Sequence, residues 1–79
     1  MTHDNITMPA AVRQELDRLL ASIKRAITSG EAERAGLRAG GFVLGVEVLK
    51  ALQPLSVEAL YLAVEQSVEL RVGELAAQA

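Results

Sequence analysis

The chain has 79 residues, of which 51% are hydrophobic and 3% aromatic; it has no cysteine, a formal net charge of −2 and a pI near 5.3. This length allows one small domain with an aliphatic core, and the lack of cysteine excludes disulfides as a source of stability. The weakly acidic charge disfavours a nucleic-acid binder, and no uncharged run approaches the ~20 apolar residues of a membrane-spanning helix.

The N-terminal residues 1–7 are polar and lack the pattern of a signal peptide, so we expect a flexible leader, a cytoplasmic location and a single helical domain over residues 8–79. Helix one is predicted over residues 9–28, because Pro9 suits a first helical turn and Gly30 suits the left-handed position that follows a helix end. Aliphatic side chains recur at three- and four-residue steps and give this helix one apolar face. They are Val12, Leu16, Leu19, Leu20, Ile23, Ala26 and Ile27.

Helix two is predicted over residues 31–52, with Ser29 or Gly30 as its N-cap. Its apolar residues form two stripes that together cover more than half of the helix circumference. The first stripe consists of Ala32, Ala35, Ala39, Phe42, Val46 and Leu49. The second consists of Leu37, Gly41, Leu44, Val48 and Leu52. We therefore expect helix two to be the most buried of the three.

Four glycines, Gly36, Gly40, Gly41 and Gly45, lie inside helix two. Each costs about 1 kcal/mol relative to alanine in a helix interior, so their presence calls for an explanation. Close approach of another helix is one explanation, and a break at Gly40 and Gly41 is the other. A β-strand over residues 41–48 is disfavoured, because the helical stripe continues on both sides of it.

Helix three is predicted over residues 57–76, after a break at Pro54 and with Ser56 as its N-cap. Its apolar face consists of Val57, Leu60, Tyr61, Val64, Val68, Val72 and Leu75. The opposite, acidic face consists of Glu58, Glu65, Gln66, Glu69 and Glu74. Leu62 and Leu70 fall off the main stripe, and we interpret them as exposed leucines or as part of a second contact surface.

Few side chains in this sequence could act in catalysis or bind a metal. His3 is the single histidine and lies in the leader, where we expect it to be solvated. Glu58, Glu65 and Glu69 fit a solvated helix face better than a metal centre, because no histidine completes a metal-binding set. We expect Glu47 to mark the wet edge of helix two. The sequence therefore predicts no catalytic residue, no cofactor and no metal site.

The fold class that these patterns predict is all-α: a small antiparallel three-helix bundle, or a helical hairpin with a third helix. Helix two carries more apolar surface than two neighbouring helices need, so we expect a homodimer or another homo-oligomer. The residues predicted to bind a partner or form the dimer interface are Leu37, Gly41, Phe42, Leu44, Gly45, Val48, Leu62 and Leu70.

The leading hypothesis for function is a non-enzymatic protein–protein interaction module: a small adaptor, chaperone-like partner or inhibitor of a larger protein that acts through apolar helix faces. One alternative is a small dimeric regulator that contacts nucleic acid through basic residues of helix one. The cations of that charged surface are Arg13, Arg18, Lys24 and Arg25. A second alternative is an accessory subunit of an enzyme.

Overall fold

Three α-helices account for most of residues 6–79, the part of the chain that the computed structural model describes. Helix α1 spans Ala10–Lys24, α2 spans Ser29–Val48 and α3 spans Pro54–Gln78. No strand occurs within the described part, so the all-α prediction is confirmed there. The predicted leader falls largely on residues outside the described range. Its residue Ile6 is described, and it packs against the core instead of extending into solvent.

Helix α1 ends four residues earlier than predicted, at Lys24. Ile27, expected on the apolar face, is consequently 72% exposed in the connection to α2. Gly30, expected to end α1 in a left-handed conformation, instead lies in the first turn of α2, and no described glycine has a positive φ. The physical reason is Thr28, which takes the extended conformation of an N-cap and so interrupts the first helix.

The start of α2 is fixed by two reciprocal hydrogen bonds. The backbone N–H of Glu31 donates to Thr28 Oγ1 at 3.1 Å, and the backbone N–H of Ile27 donates to Glu31 Oε1 at 3.0 Å. This pattern is a variant of the capping box, in which the glutamate reaches one residue further back than usual. Thr28 is therefore the N-cap, in place of the predicted Ser29 or Gly30.

Replacement of Thr28 by alanine is expected to lower the free energy of unfolding by about 0.5–2 kcal/mol, because an N–H at the start of α2 loses its partner. Urea unfolding followed by circular dichroism measures this change. Ser29→Ala is the matched control, because Ser29 is the adjacent hydroxyl residue and makes no capping bond. Equal losses in the two variants would contradict the assignment of the cap.

Helix α2 ends at Val48, four residues before the predicted end, because the chain turns at Lys50. Lys50 has a φ of 55°, and its N–H donates to the carbonyl of Glu47 at 3.0 Å. The N–H of Ala51 donates to the carbonyl of Val46 at 3.1 Å, which completes the hydrogen-bond pattern of a Schellman motif. A lysine thus occupies the left-handed position that glycine usually takes.

Helix α3 begins three residues before the predicted start, with Pro54 in its first turn. Proline was expected to separate the helices and Ser56 to cap the third. The first turn tolerates proline because its missing N–H would have no helical partner there. The backbone of Gln53 instead has the extended conformation that precedes the helix.

The core contains side chains from all three helices, and each pair of helices is in contact. Leu16, Ile23, Val43 and Leu60 are its largest fully buried side chains. The first stripe of α2 supplies the following buried residues: Ala32, Ala35, Ala39 and Val46. These alanines have small side chains, so the neighbouring helices can approach the backbone of α2 closely. Within residues 6–79, no helix is both long enough and apolar enough to cross a membrane.

The glycines of α2 divide into one that packs closely and three that face open space. A methyl group at Gly36 would lie 2.5 Å from Val68 Cγ2 on α3, whereas Gly40, Gly41 and Gly45 have nothing within 4 Å of that position. Close approach of a helix within the chain therefore explains Gly36 alone. The helix runs without interruption through Gly40 and Gly41, so the predicted alternative of a break is wrong.

Candidate protein-interaction surface

Helix α2 exposes an apolar row on the side that faces away from the core. Leu37 is 76% exposed, Leu44 52% and Val48 68%, and Gly41 and Gly45 are exposed beside them. We call Leu37, Gly41, Leu44, Gly45 and Val48 the outer strip. Four of these positions, 37, 41, 44 and 48, are separated by four, three and four residues, which is the spacing of the seam in a coiled coil.

The outer strip is exposed because the two apolar stripes of α2 have different neighbours. Most of the first stripe faces α1 and α3 in the core, whereas Leu37, Leu44 and Val48 of the second stripe are exposed. The exceptions are Leu49 of the first stripe, which is 80% exposed, and Leu52 of the second, which packs against the core. Two helices packed on one side of a third cannot cover its whole circumference. Leu37, Leu44 and Val48 therefore remain largely in solvent within the described chain.

The other residues predicted to form the interface lie elsewhere. Phe42 is half-buried and packs against the core, so it is not part of the outer strip. Leu62 is 50% exposed and Leu70 59% exposed on α3. Eight residues separate these two leucines, which places them about 80° apart around the helix. They therefore do not form one continuous row on α3.

The edge of the outer strip that adjoins α3 is acidic. A groove of about 550 Å³ lies here between α2 and α3. Its lining consists of Glu33, Gly36, Leu37, Val64, Glu65, Val68 and Glu69. Three carboxylates thus lie around an apolar floor that includes Leu37. We call Glu33, Glu65 and Glu69 the acidic edge.

The opposite edge of the outer strip, on the side towards α1, is basic. Arg34 and Arg38 lie one helical turn apart on α2, and both are exposed. Together with Arg25 they line a groove of about 250 Å³. Glu31 also lines this groove, but its carboxylate already accepts the hydrogen bond from the Ile27 backbone. We call Arg34 and Arg38 the basic edge.

The four cations predicted as a charged surface on helix one are not all brought together. Arg13 donates a hydrogen bond to the carbonyl of Ile6 at 2.7 Å, and Arg18 forms an ion pair with Glu15. The hydrogen bond that Arg18 donates to Glu15 in this pair lowers the pKa of the Glu15 carboxyl. Lys24 is exposed near the end of α1, and Arg25 lines the groove beside α2.

Arg34 and Arg38 are not among the site residues predicted from the sequence. Their position in the chain is the signal that could have identified them. They follow the α1–α2 connection directly, so the helix that bears them folds back beside the end of α1. A short connection therefore places them near Arg25, which lies at that end.

Among residues 6–79, two side-chain hydrogen bonds join α3 to the other elements. Tyr61 Oη donates to Glu47 Oε1 at 3.0 Å; burial raises the pKa of the Tyr61 phenol, and this hydrogen bond raises it further. Glu47 is exposed, as the prediction of a wet edge required. Arg71 Nε donates to the carbonyl of Ala26 at 2.8 Å, so α3 also holds the connection that follows α1. These contacts help to hold α3 against α2 and against the α1–α2 connection.

A wider groove, of about 940 Å³, lies between the N-terminal segment and the α2–α3 connection, and its charged lining residues are Glu47 and Lys50. No group of three or more histidine, cysteine, aspartate or glutamate side chains within residues 6–79 could hold a metal ion. Comparisons of the chain with protein-family models, with curated proteins and with solved structures find no match.

Proposed function

We propose that this chain is a non-enzymatic protein–protein interaction module, a small adaptor, chaperone-like partner or inhibitor, whose outer strip binds an α-helix of another protein chain. The observation that carries this proposal is the exposure of Leu37, Leu44 and Val48 at coiled-coil spacing on one face of α2. Full burial of an aliphatic side chain of this size contributes about 1.5–3 kcal/mol, so covering the row is strongly favourable.

The shape of the outer strip suits a helix as its occupant. Gly41 and Gly45 have no side chain, and nothing fills the space above them within 4 Å. A second helix can therefore approach the backbone of α2 closely between Leu37 and Val48 and gain dispersion contacts. An amphipathic helix binds such a surface through apolar side chains that are spaced three and four residues apart.

The charges on the two edges of the outer strip favour one orientation of a bound helix. The acidic edge borders the outer strip on the side of α3, and the basic edge borders it on the other side. A helix that carries opposite charges on its two flanks would bind in one orientation better than in the other, because like charges placed together are unfavourable. We also take neighbouring helices of the chain to be antiparallel, which the short connections at residues 25–28 and 49–53 support.

Site-specific photo-crosslinking tests this proposal on the full-length protein. A benzophenone amino acid is placed at position 44 in cells that produce the protein, and adducts are identified by mass spectrometry. Position 70 is the matched control, because Leu70 has a similar exposure and follows Val68, a contact residue of α2, by two positions. A two-residue step points it away from α2.

We expect protein adducts at position 44 in clear excess over position 70, and their loss when Leu37→Glu is added. Adducts of either kind are informative: a mass of twice the chain indicates a second copy, and any other mass indicates a different partner. Equal yields at the two positions would overturn the proposal.

A further inference from the structure

We infer, resting on the proposed function, that the helix bound by the outer strip is α2 of a second copy of this chain, packed parallel and in register. In this arrangement each seam residue meets its own counterpart. Leu37 lies against Leu37, Leu44 against Leu44 and Val48 against Val48 of the second copy. Gly41 lies at the point of closest approach between the two leucine layers.

The spacing of the flanking charges supports this pairing. Glu33 precedes the seam residue Leu37 by four positions, and Arg38 follows it directly. In a parallel two-stranded coiled coil, these are the flanking positions that meet across the interface, five residues apart in numbering. Glu33 of each copy therefore faces Arg38 of the other. Neither residue has an ion-pair partner within residues 6–79.

The edges of the outer strip favour the parallel orientation over the antiparallel one. A two-fold axis along the helices brings Glu33 of one copy opposite Arg38 of the other, on both sides of the seam. Arg34, three residues before Leu37, falls at a seam position in this register and meets its own counterpart. A two-fold axis across the helices brings acidic edge to acidic edge and basic edge to basic edge. Glu65 and Glu69 on α3 add to the attraction in the first case and to the repulsion in the second.

The size of the seam sets the strength of the association. Each copy contributes three large aliphatic side chains, and α2 ends at Val48, so the seam cannot be extended beyond that residue. A contact this small is typical of weak dimers, so we expect a dissociation constant of about micromolar order or higher. Added salt weakens the dimer because the edge charges are exposed and screened.

Disulfide trapping distinguishes the two orientations, and the absence of native cysteine makes every introduced thiol unique. Leu37→Cys and Val48→Cys are prepared as single variants of the full chain and oxidised in a glutathione buffer. In the parallel dimer each variant forms a disulfide with itself. In an antiparallel dimer a mixture of the two forms the mixed disulfide instead. Leu70→Cys reports the background from random collision.

Preferential self-linkage of both single variants over Leu70→Cys is the expected result. Mixed linkage without self-linkage, or self-linkage no higher than the control, would overturn the inference. The crosslinking result at position 44 distinguishes failure of this inference from failure of the proposed function. If position 44 crosslinks to a different protein while the chain remains monomeric, the inference is wrong and the proposed function stands. If position 44 gives no excess adduct, both are wrong.

Charge reversal tests the flanking pairs independently of any cysteine. Glu33→Arg and Arg38→Glu each place like charges across the seam twice, so we expect each to weaken dimerisation about tenfold or more in sedimentation equilibrium. The double variant E33R/R38E restores the opposite-charge pairs and should dimerise like the parent chain. Circular dichroism confirms that the helices are retained. Failure of the double variant to recover would contradict the pairing of these two residues.

Discussion

Replacement of Leu60 by alanine is expected to lower the free energy of unfolding by about 2–5 kcal/mol, the largest effect of any single substitution considered for this chain. Leu60 is fully buried in the core cluster and lies in the N-terminal third of α3. Truncation removes apolar contacts on every side and leaves a cavity that the rigid neighbouring helices fill only partly. Urea unfolding followed by circular dichroism measures the loss.

Leu62→Ala is the matched control for this prediction. The two leucines lie two residues apart on the same helix, but Leu62 is 50% exposed. Substitution at an exposed position usually changes stability by about 0.5 kcal/mol or less, so the control should remain near the parent value. A loss in Leu60→Ala no larger than in Leu62→Ala would show that the core is placed wrongly.

Replacement of Gly36 by alanine is expected to destabilise the protein by about 1–3 kcal/mol, despite the higher helix propensity of alanine. The added methyl group would lie 2.5 Å from Val68 Cγ2. Valine is stiff about its first side-chain torsion, so it cannot simply rotate out of the way, and α2 and α3 must separate. Thermal and urea unfolding measure the loss, and a change in the intensity of Tyr61 fluorescence would report displacement of α3, because Tyr61 donates a hydrogen bond to Glu47 of α2.

Two further variants separate this steric effect from a general effect of changing a glycine. Gly40→Ala has nothing within 4 Å of the added methyl group, so it should stabilise the helix by up to about 1 kcal/mol. Val68→Ala removes the atom that clashes, so the double variant G36A/V68A should be more stable than the sum of the single changes implies. Additive losses in this cycle would show that α2 and α3 do not meet closely at these residues.

The apolar residues of α2 are divided between the core and the outer strip. The helix buries its small side chains, the alanines of the first stripe, and exposes larger ones such as Leu37 and Leu44. This distribution weakens the isolated domain, because Leu37 and Leu44 contribute little to its core. Binding of a second helix would recover that contribution, so stability and association should be linked. A rise in unfolding temperature with protein concentration is the direct consequence for a homodimer.

Several features followed from the sequence alone. Period-3.6 apolar patterns such as that of Leu16, Leu19 and Ile23 encode amphipathic helices, because only that spacing places the side chains on one face. The number of helices, their order and the identity of most core residues could therefore be predicted. The exposure of Glu47 and of the acidic residues of α3 followed from the same patterns. The helix ends were less certain, because Thr28, Ser29 and Gly30 are all acceptable caps and only one can fill the position.

The tertiary structure alone decided which of the two stripes of α2 is buried. Both stripes are apolar, and periodicity cannot say where two neighbouring helices will pack. The choice depends on how closely those helices approach, which Gly36 permits at Val68 and which alanines permit elsewhere. Once α1 and α3 pack on the side with small residues, Leu37 and Val48 remain exposed. The placement of Glu33 and Arg38 on opposite edges of the outer strip follows from that packing, because an edge exists only when one face of the helix is covered.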